Sequence, residues 1–143
     1  MINEYVSEIC HLLNIPKPQI IYDTSLFPTK TTLAQCKSDG AEIYLKKFDS
    51  PNLDQCVAIA HELRHVWQVK TDKEKYLSNY QTIDAIGDTE KYNLQLAEID
   101  ANAFAKIVVS DCFHVKPLFN GLSAAVKIPI DTRIHAIIKY HLF

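Results

Sequence analysis

The sequence predicts an α+β fold. It should comprise an N-terminal helix, a small, mainly antiparallel sheet of about three strands, two longer helices and an extra C-terminal helix. Three observations carry this expectation. Apolar residues recur at helical spacing near the N-terminus and again from residue 51 onward. The segment between them breaks into short strand-like runs separated by turn residues. The chain has 143 residues, 48% of them hydrophobic, with no repeat and no linker, so one domain spanning 1–143 is expected.

The elements follow in order. Residues 3–13 read as a helix, with Tyr5, Val6, Ile9, Leu12 and Leu13 on one face and Asn3 as its cap. Pro16 and Pro18 stop it and extend the chain. Strands are expected at 19–22, 31–36 and 41–45. Ser38-Asp39-Gly40 turns the last two into a hairpin, and the stretch 23–30, holding Pro28, is a loop. Ser50 is placed to cap a helix over about 51–69, with Pro51 in its first turn. Leu53, Cys56, Val57, Ala60, Leu63 and Trp67 form the apolar face of that helix. Residues 71–80 read as helical, with Tyr76, Leu77 and Tyr80 inward, and Ile83 and Ile86 extend the pattern to a break at Gly87-Asp88. A further helix covers the stretch from Glu90 to Ala105, with a stripe from Leu94 onward, and Ile107, Val108 and Val109 prolong it. Pro117 ends the next stretch, and 131–142 reads as the last helix, with Ile134, Ile137, Ile138 and Leu142 at helical spacing.

Composition narrows the function classes. Fifteen basic and 17 acidic residues leave a net charge of −2, which provides no footprint for a polyanion, so no nucleic-acid partner is expected. The basic spots at Lys46-Lys47 and around Lys70 and Lys73 read as solvated faces. No apolar run approaches the roughly 20 residues of a membrane span, so no membrane partner is expected. Cys10, Cys36, Cys56 and Cys112 form no Cys-x-x-Cys pair and sit among apolar neighbours. Together with a start that lacks a secretory signal pattern, this gives a reduced, cytoplasmic setting as the expectation.

Chemistry concentrates at His61-Glu62-Leu63-Arg64-His65, a His-Glu-x-x-His motif in the segment with the clearest helical pattern. Residues four apart share a helix face, so both imidazoles reach one metal ion. Zinc suits two neutral nitrogens, a carboxylate and a water, and Glu62 lies where a general base for that water belongs. The third ligand expected is Glu98, in a segment whose small residues (Ala97, Ala101, Ala105) allow a second helix to approach closely. Asn102, four residues on, shares the face of Glu98 and is placed to bond the outer nitrogen of His61 or His65 and fix its tautomer. Asp100 is off that face. Trp67 reads as a core residue, Arg64 and Gln68 flank the motif without an assigned role, and His11, His114, His135 and His141 show no ligand spacing.

These two blocks resemble the zincin superfamily in its glutamate-ligand, gluzincin-like branch. They resemble more closely the small ImmA/IrrE-like metallopeptidases of bacteria and phages, which pair the first motif with a downstream Glu-x-x-Ala-Asn-x-Phe-Ala segment. Here the matching residues are His61, Glu62 and His65, then Glu98, Ala101, Asn102, Phe104 and Ala105. The resemblance implies a minimal zincin-like fold, Zn2+ on His61, His65 and Glu98, Glu62 as general base, and Asn102 supporting a zinc-bound histidine. In element order it covers roughly residues 1–108. The interval from His65 to Glu98 is longer than in many compact relatives, so residues 70–93 read as an extra helix or a lid. Lys106-Ile107-Val108-Val109 replaces the Leu-Leu-Met-Pro continuation typical of those proteins. The chain has no helix-turn-helix with a basic reading helix, so no DNA-linked role carries over.

The expected function is zinc-dependent peptide-bond hydrolysis of a peptide or protein substrate, with a metal-activated water and Glu62 as the base. An edge strand, with residues 41–45 the candidate, would hold the extended peptide. His114, Tyr76, Tyr80, Tyr92 and His135 are the candidate donors to the oxyanion. The alternative is a non-catalytic zinc-stabilised interaction or regulatory domain. A base at position 62 argues against it, and so does the preference of structural zinc sites for four protein ligands.

Overall fold

The computed structural model describes residues 1–117 and 121–143. Helix α1 (Ile2–Leu13) is followed by strands β1 (Gln19–Ile21), β2 (Ala34–Cys36) and β3 (Glu42–Leu45). The long helix α2 (Leu53–Leu77) comes next, then two short helices, α3 (Ile83–Ile86) and α4 (Thr89–Asn93). Helices α5 (Leu96–Phe113) and α6 (Ala124–Tyr140) complete the order. This is the expected α+β architecture, with His61 and His65 on α2, Glu98 on α5, and α6 as the additional C-terminal helix.

The sheet runs in the order β1-β3-β2, with β2 antiparallel and β1 parallel to β3. The hairpin expected between residues 31–36 and 41–45 is present, and its turn closes with Gly40 N–H on Lys37 C=O at 2.9 Å. One expectation is overturned. The segment 41–45 is not a free edge, because β3 lies in the centre and is paired on both sides. The loop after β1 carries the chain past the β3 position, so β2 forms the far edge. Strand order depends on that crossover rather than on any local pattern.

Several helix ends also differ from expectation. Asn3 does not cap α1; the helix begins one residue earlier, and the Asn3 side chain accepts a bond from Lys17 instead. Asn52, rather than Ser50, caps α2: its Oδ1 accepts the Gln55 N–H at 2.9 Å, which leaves Pro51 just outside the helix. Helix α2 runs past residue 69 to Leu77, with a non-helical Asp72 marking a kink. The stretch from Glu90 to Ala105 is broken at Leu94-Gln95. Gln95 takes an extended conformation and exchanges hydrogen bonds with the backbone of Gln81, at 2.7 and 2.9 Å. Helix α6 starts at Ala124 and passes through Pro129, whose missing N–H removes one bond. Val126 and Ile130, each 1% exposed, flank that proline and hold the first turns in the core.

Packing brings the chemistry together. Helix α2 lies on β2 and α1 on one side and on α5 on the other, and α6 covers α5. Ile59 and Leu63 of α2 are fully buried, as are Phe104 and Val109 of α5. Burying each such side chain stabilises the fold by about 1.5–3 kcal/mol. Ala60 on α2 and Ala97, Ala101 and Ala105 on α5 are also fully buried. With only methyl groups at these positions, the two backbones approach closely enough for side chains from both to meet at one point. Gln55 ties the start of α2 to the sheet, donating to Leu33 C=O at 3.2 Å and Lys46 C=O at 2.6 Å.

Candidate metal centre

His61 and His65 lie one turn apart on α2, and Glu98 reaches them from the first turn of α5. Glu98 Oε2 is 3.1 Å from His61 Nε2 and 2.9 Å from His65 Nε2, and the two ring nitrogens are 3.0 Å apart. These residues form a cluster able to hold a divalent metal ion. Tetrahedral ligands at about 2.0–2.1 Å from zinc lie roughly 3.3 Å from one another, so the triangle needs to open by only a few tenths of an ångström.

The protons in the cluster are set by its neighbours. Asn102 Oδ1 lies 2.8 Å from His61 Nδ1, and Gln68 Oε1 lies 2.9 Å from His65 Nδ1. An amide oxygen only accepts, so each Nδ1 carries the proton and each Nε2 presents its lone pair inward. Glu98 Oε2 is buried and receives no hydrogen bond among the described residues. With both imidazoles neutral, as metal ligation requires, three electron pairs converge, the donor set that a zinc ion takes.

Without a metal ion, the electrostatics favour a proton in that place. Burial disfavours the charged form of His61, but the Glu98 carboxylate beside it prevails and raises the imidazole to about 9. Burial likewise opposes ionisation of Glu98, yet the two histidines hold its carboxyl well below the usual carboxylate range. The site favours a positive charge at its centre.

Glu62 follows His61 on α2, and its Oε2 accepts the backbone N–H of Cys36 at 3.2 Å. In the β2–β3 ladder, Lys37 N–H bonds Glu42 C=O and Lys46 N–H bonds Leu33 C=O. The alternation of an antiparallel pair therefore turns the backbone groups of Ala34 and Cys36 outward. Glu62 takes one of these outward groups. His61, Glu62 and Asn102 open onto a cleft of about 710 Å³, which is also lined by Leu53, Val57 and Leu122.

The sequence-predicted residues are distributed as follows. His61, His65 and Glu98 converge, with Glu62 beside them and Asn102 on His61. Of the five candidate oxyanion donors, Tyr80 and Tyr92 are near the cluster: Tyr80 OH donates to Glu98 Oε1 at 3.3 Å and lies 2.8 Å from Tyr92 OH. Burial and the adjacent Glu98 push the Tyr80 phenol up to about 12. Tyr76 instead receives a bond from Arg133, at 2.8 Å, while His114 and His135 are exposed. Trp67 is a core residue, as expected.

Sequence reasoning left three partners unassigned. Gln68 is one, although its position three residues after His65 on the same helix was a usable signal. The Cys36 N–H is another, and it depends on tertiary packing alone. Buried Asp100, with Arg64 on α2 and Arg133 on α6, is the third. No family model matches the chain, and no curated protein or solved structure matches it.

Proposed function

We propose that this chain is a zinc-dependent metallopeptidase, with residues 1–143 forming one catalytic domain that hydrolyses peptide bonds in extended peptide or protein segments. The observation that carries this reading is the buried Glu98 Oε2, set 3.1 and 2.9 Å from two inward-facing histidine nitrogens next to an open cleft. His61, His65 and Glu98 would be the zinc ligands. When bound there, zinc supplies a Lewis acid that polarises a carbonyl and lowers the pKa of water.

The chain's own groups do the rest. Glu62 takes the proton of the attacking water and passes it to the leaving amine nitrogen. The Cys36 N–H anchors Glu62 Oε2, which leaves Oε1 as the oxygen that carries the proton. Asn102 and Gln68 hold the two imidazoles in the tautomer that ligation requires. The outer edge of β2, whose Ala34 backbone faces away from β3, would pair with the substrate in place of the segment 41–45. The side chain next to the scissile bond enters the cleft by Leu53 and Val57. Among the described residues the cluster offers three protein ligands, which supports an enzyme over a zinc-stabilised interaction module, since such a module closes its site with a fourth.

The test pairs metal analysis of the purified protein with the variant Glu62→Gln. One equivalent of zinc should be retained in both proteins, and hydrolysis of a mixed peptide library should fall by about 10²–10⁴-fold in the variant. Full activity in Glu62→Gln, or no zinc in the native chain, would overturn the reading.

A further inference from the structure

Gln68 is fully buried, one helical turn past His65, and each polar atom of its amide has a partner. Its nitrogen donates to Ala97 C=O at 2.9 Å and to Asp100 Oδ2 at 2.8 Å. Its oxygen faces His65 Nδ1 at 2.9 Å. Two acceptors on one end of the amide leave a single orientation, with nitrogen toward α5 and oxygen toward the histidine.

Asp100 is itself held by charge. Arg64 donates to it through Nε at 2.8 Å and Nη2 at 3.1 Å, a two-point contact between fully buried partners. Arg133 of α6 donates to Asp100 Oδ1 at 2.9 Å and to Tyr76 OH at 2.8 Å. Arg64 reaches onward to Leu142 C=O at 2.6 Å, and its guanidinium lies 3.6 Å from the Trp67 ring centroid. The carboxylate is thus fixed from two helices, and every connection from α6 to His65 is a direct hydrogen bond.

We propose that Gln68 is a positioning residue that locks His65 in the Nδ1–H tautomer, and that the Arg64–Asp100–Arg133 cluster sets the direction of its amide. Zinc affinity at His65 thereby depends on how α6 sits on α5. This rests on the metal-site reading above for its zinc consequence, but not for the tautomer itself. The geometry works by elimination. A rotated amide would set nitrogen against His65 Nδ1 and oxygen against Asp100, and that carboxylate, held by two arginines, cannot donate to it. A ring free of Gln68 would populate the other tautomer and turn an N–H, not a lone pair, toward Glu98.

The experiment compares the native chain with Gln68→Met and Arg133→Met, both near in size to the residue replaced. Long-range nitrogen–proton NMR of the zinc-free proteins reads the tautomer of His65, at a pH where the ring is neutral. Chelator competition reads the zinc Kd, and circular dichroism confirms native helix content. The native chain should show a single Nδ1–H tautomer. Gln68→Met should show a mixture and bind zinc about 10–100-fold more weakly, the usual effect of removing a residue that orients a ligand. Arg133→Met, which touches neither histidine, should shift both readouts in the same direction by a smaller factor. An Nε2–H tautomer in the native chain would overturn the proposal, as would two folded variants with unchanged tautomer and Kd. If the native chain binds no zinc, the metal reading fails, and the tautomer comparison still decides the role of Gln68.

Discussion

Asn102 Oδ1 and His61 Nδ1 lie 2.8 Å apart, joining α5 to α2 across 41 residues of sequence. The bond orients the ring and forces its lone pair toward Glu98. Asn102→Leu keeps the volume and removes the acceptor. It should weaken zinc binding by about 10–100-fold while leaving the fold intact. Asn102→Asp keeps an acceptor at the same place and should bind at least as tightly as the native chain. Competition with a chromophoric chelator would measure both. Equal affinity in Asn102→Leu and the native chain would show that this contact does not position the ligand.

Zinc should also stabilise the fold, because the three proposed ligands come from two separate helices and converge only in the folded state. At a free zinc concentration 100 times its Kd the gain is about 2.7 kcal/mol, and chelation should remove it. For a chain of this size that is a Tm lower by roughly 5–12 °C. Glu98→Ala should abolish the difference between zinc-loaded and chelated samples. Scanning calorimetry of the four samples would test this, and the same shift in Glu98→Ala would place the zinc elsewhere.

Asp100 is fully buried between Arg64 and Arg133, and burial of its charge is tolerable only because both guanidinium groups donate to it. Asp100→Asn removes the charge and leaves the Arg64 cation buried without a counter-ion. The expected loss is about 3–5 kcal/mol, measurable by urea unfolding. Arg133→Met should cost less, since its 14% exposed side chain lies at the margin of the cluster. A loss below about 1 kcal/mol in Asp100→Asn would mean that water enters and solvates the arginine.

The parts of this molecule legible in the sequence are those encoded by short-range spacing. His61 and His65 are four apart within an apolar stripe, and Glu98 and Asn102 are four apart among alanines, so both helices and their chemical faces could be read residue by residue. Strand order could not, because β3 becomes central only through the path of the loop before β2. Nor could the buried charges. Arg64 and Asp100 resemble solvated side chains until α5 packs on α2 and excludes water from them, and Arg133 reaches the pair from α6. Gln68 falls between these cases: its spacing from His65 was visible, but the groups that orient its amide come from another helix. The cap of α2 was misplaced by two residues because Ser50 and Asn52 are both good caps, and only the Asn52 bond to Gln55 N–H decides between them.

Gly40 links the hairpin to helix α2. Its φ of 74° lies in the left-handed region that closes the turn, and a Cβ built there would stand 2.7 Å from Val66 Cγ1. Val66 adjoins His65, so the turn presses on α2 at the level of the proposed zinc site. Gly40→Ala meets two obstacles: a conformation disfavoured for L-residues by about 1–2 kcal/mol, and a methyl group without space. The expected total is about 2–4 kcal/mol of stability. The double variant Gly40→Ala/Val66→Ala removes the obstructing methyls and should recover more than the two single losses predict. Urea unfolding of the four proteins forms a double-mutant cycle, and the coupling energy should be at least 0.5 kcal/mol. Strict additivity would mean that backbone strain alone makes this position a glycine, with no pressure of the hairpin on α2.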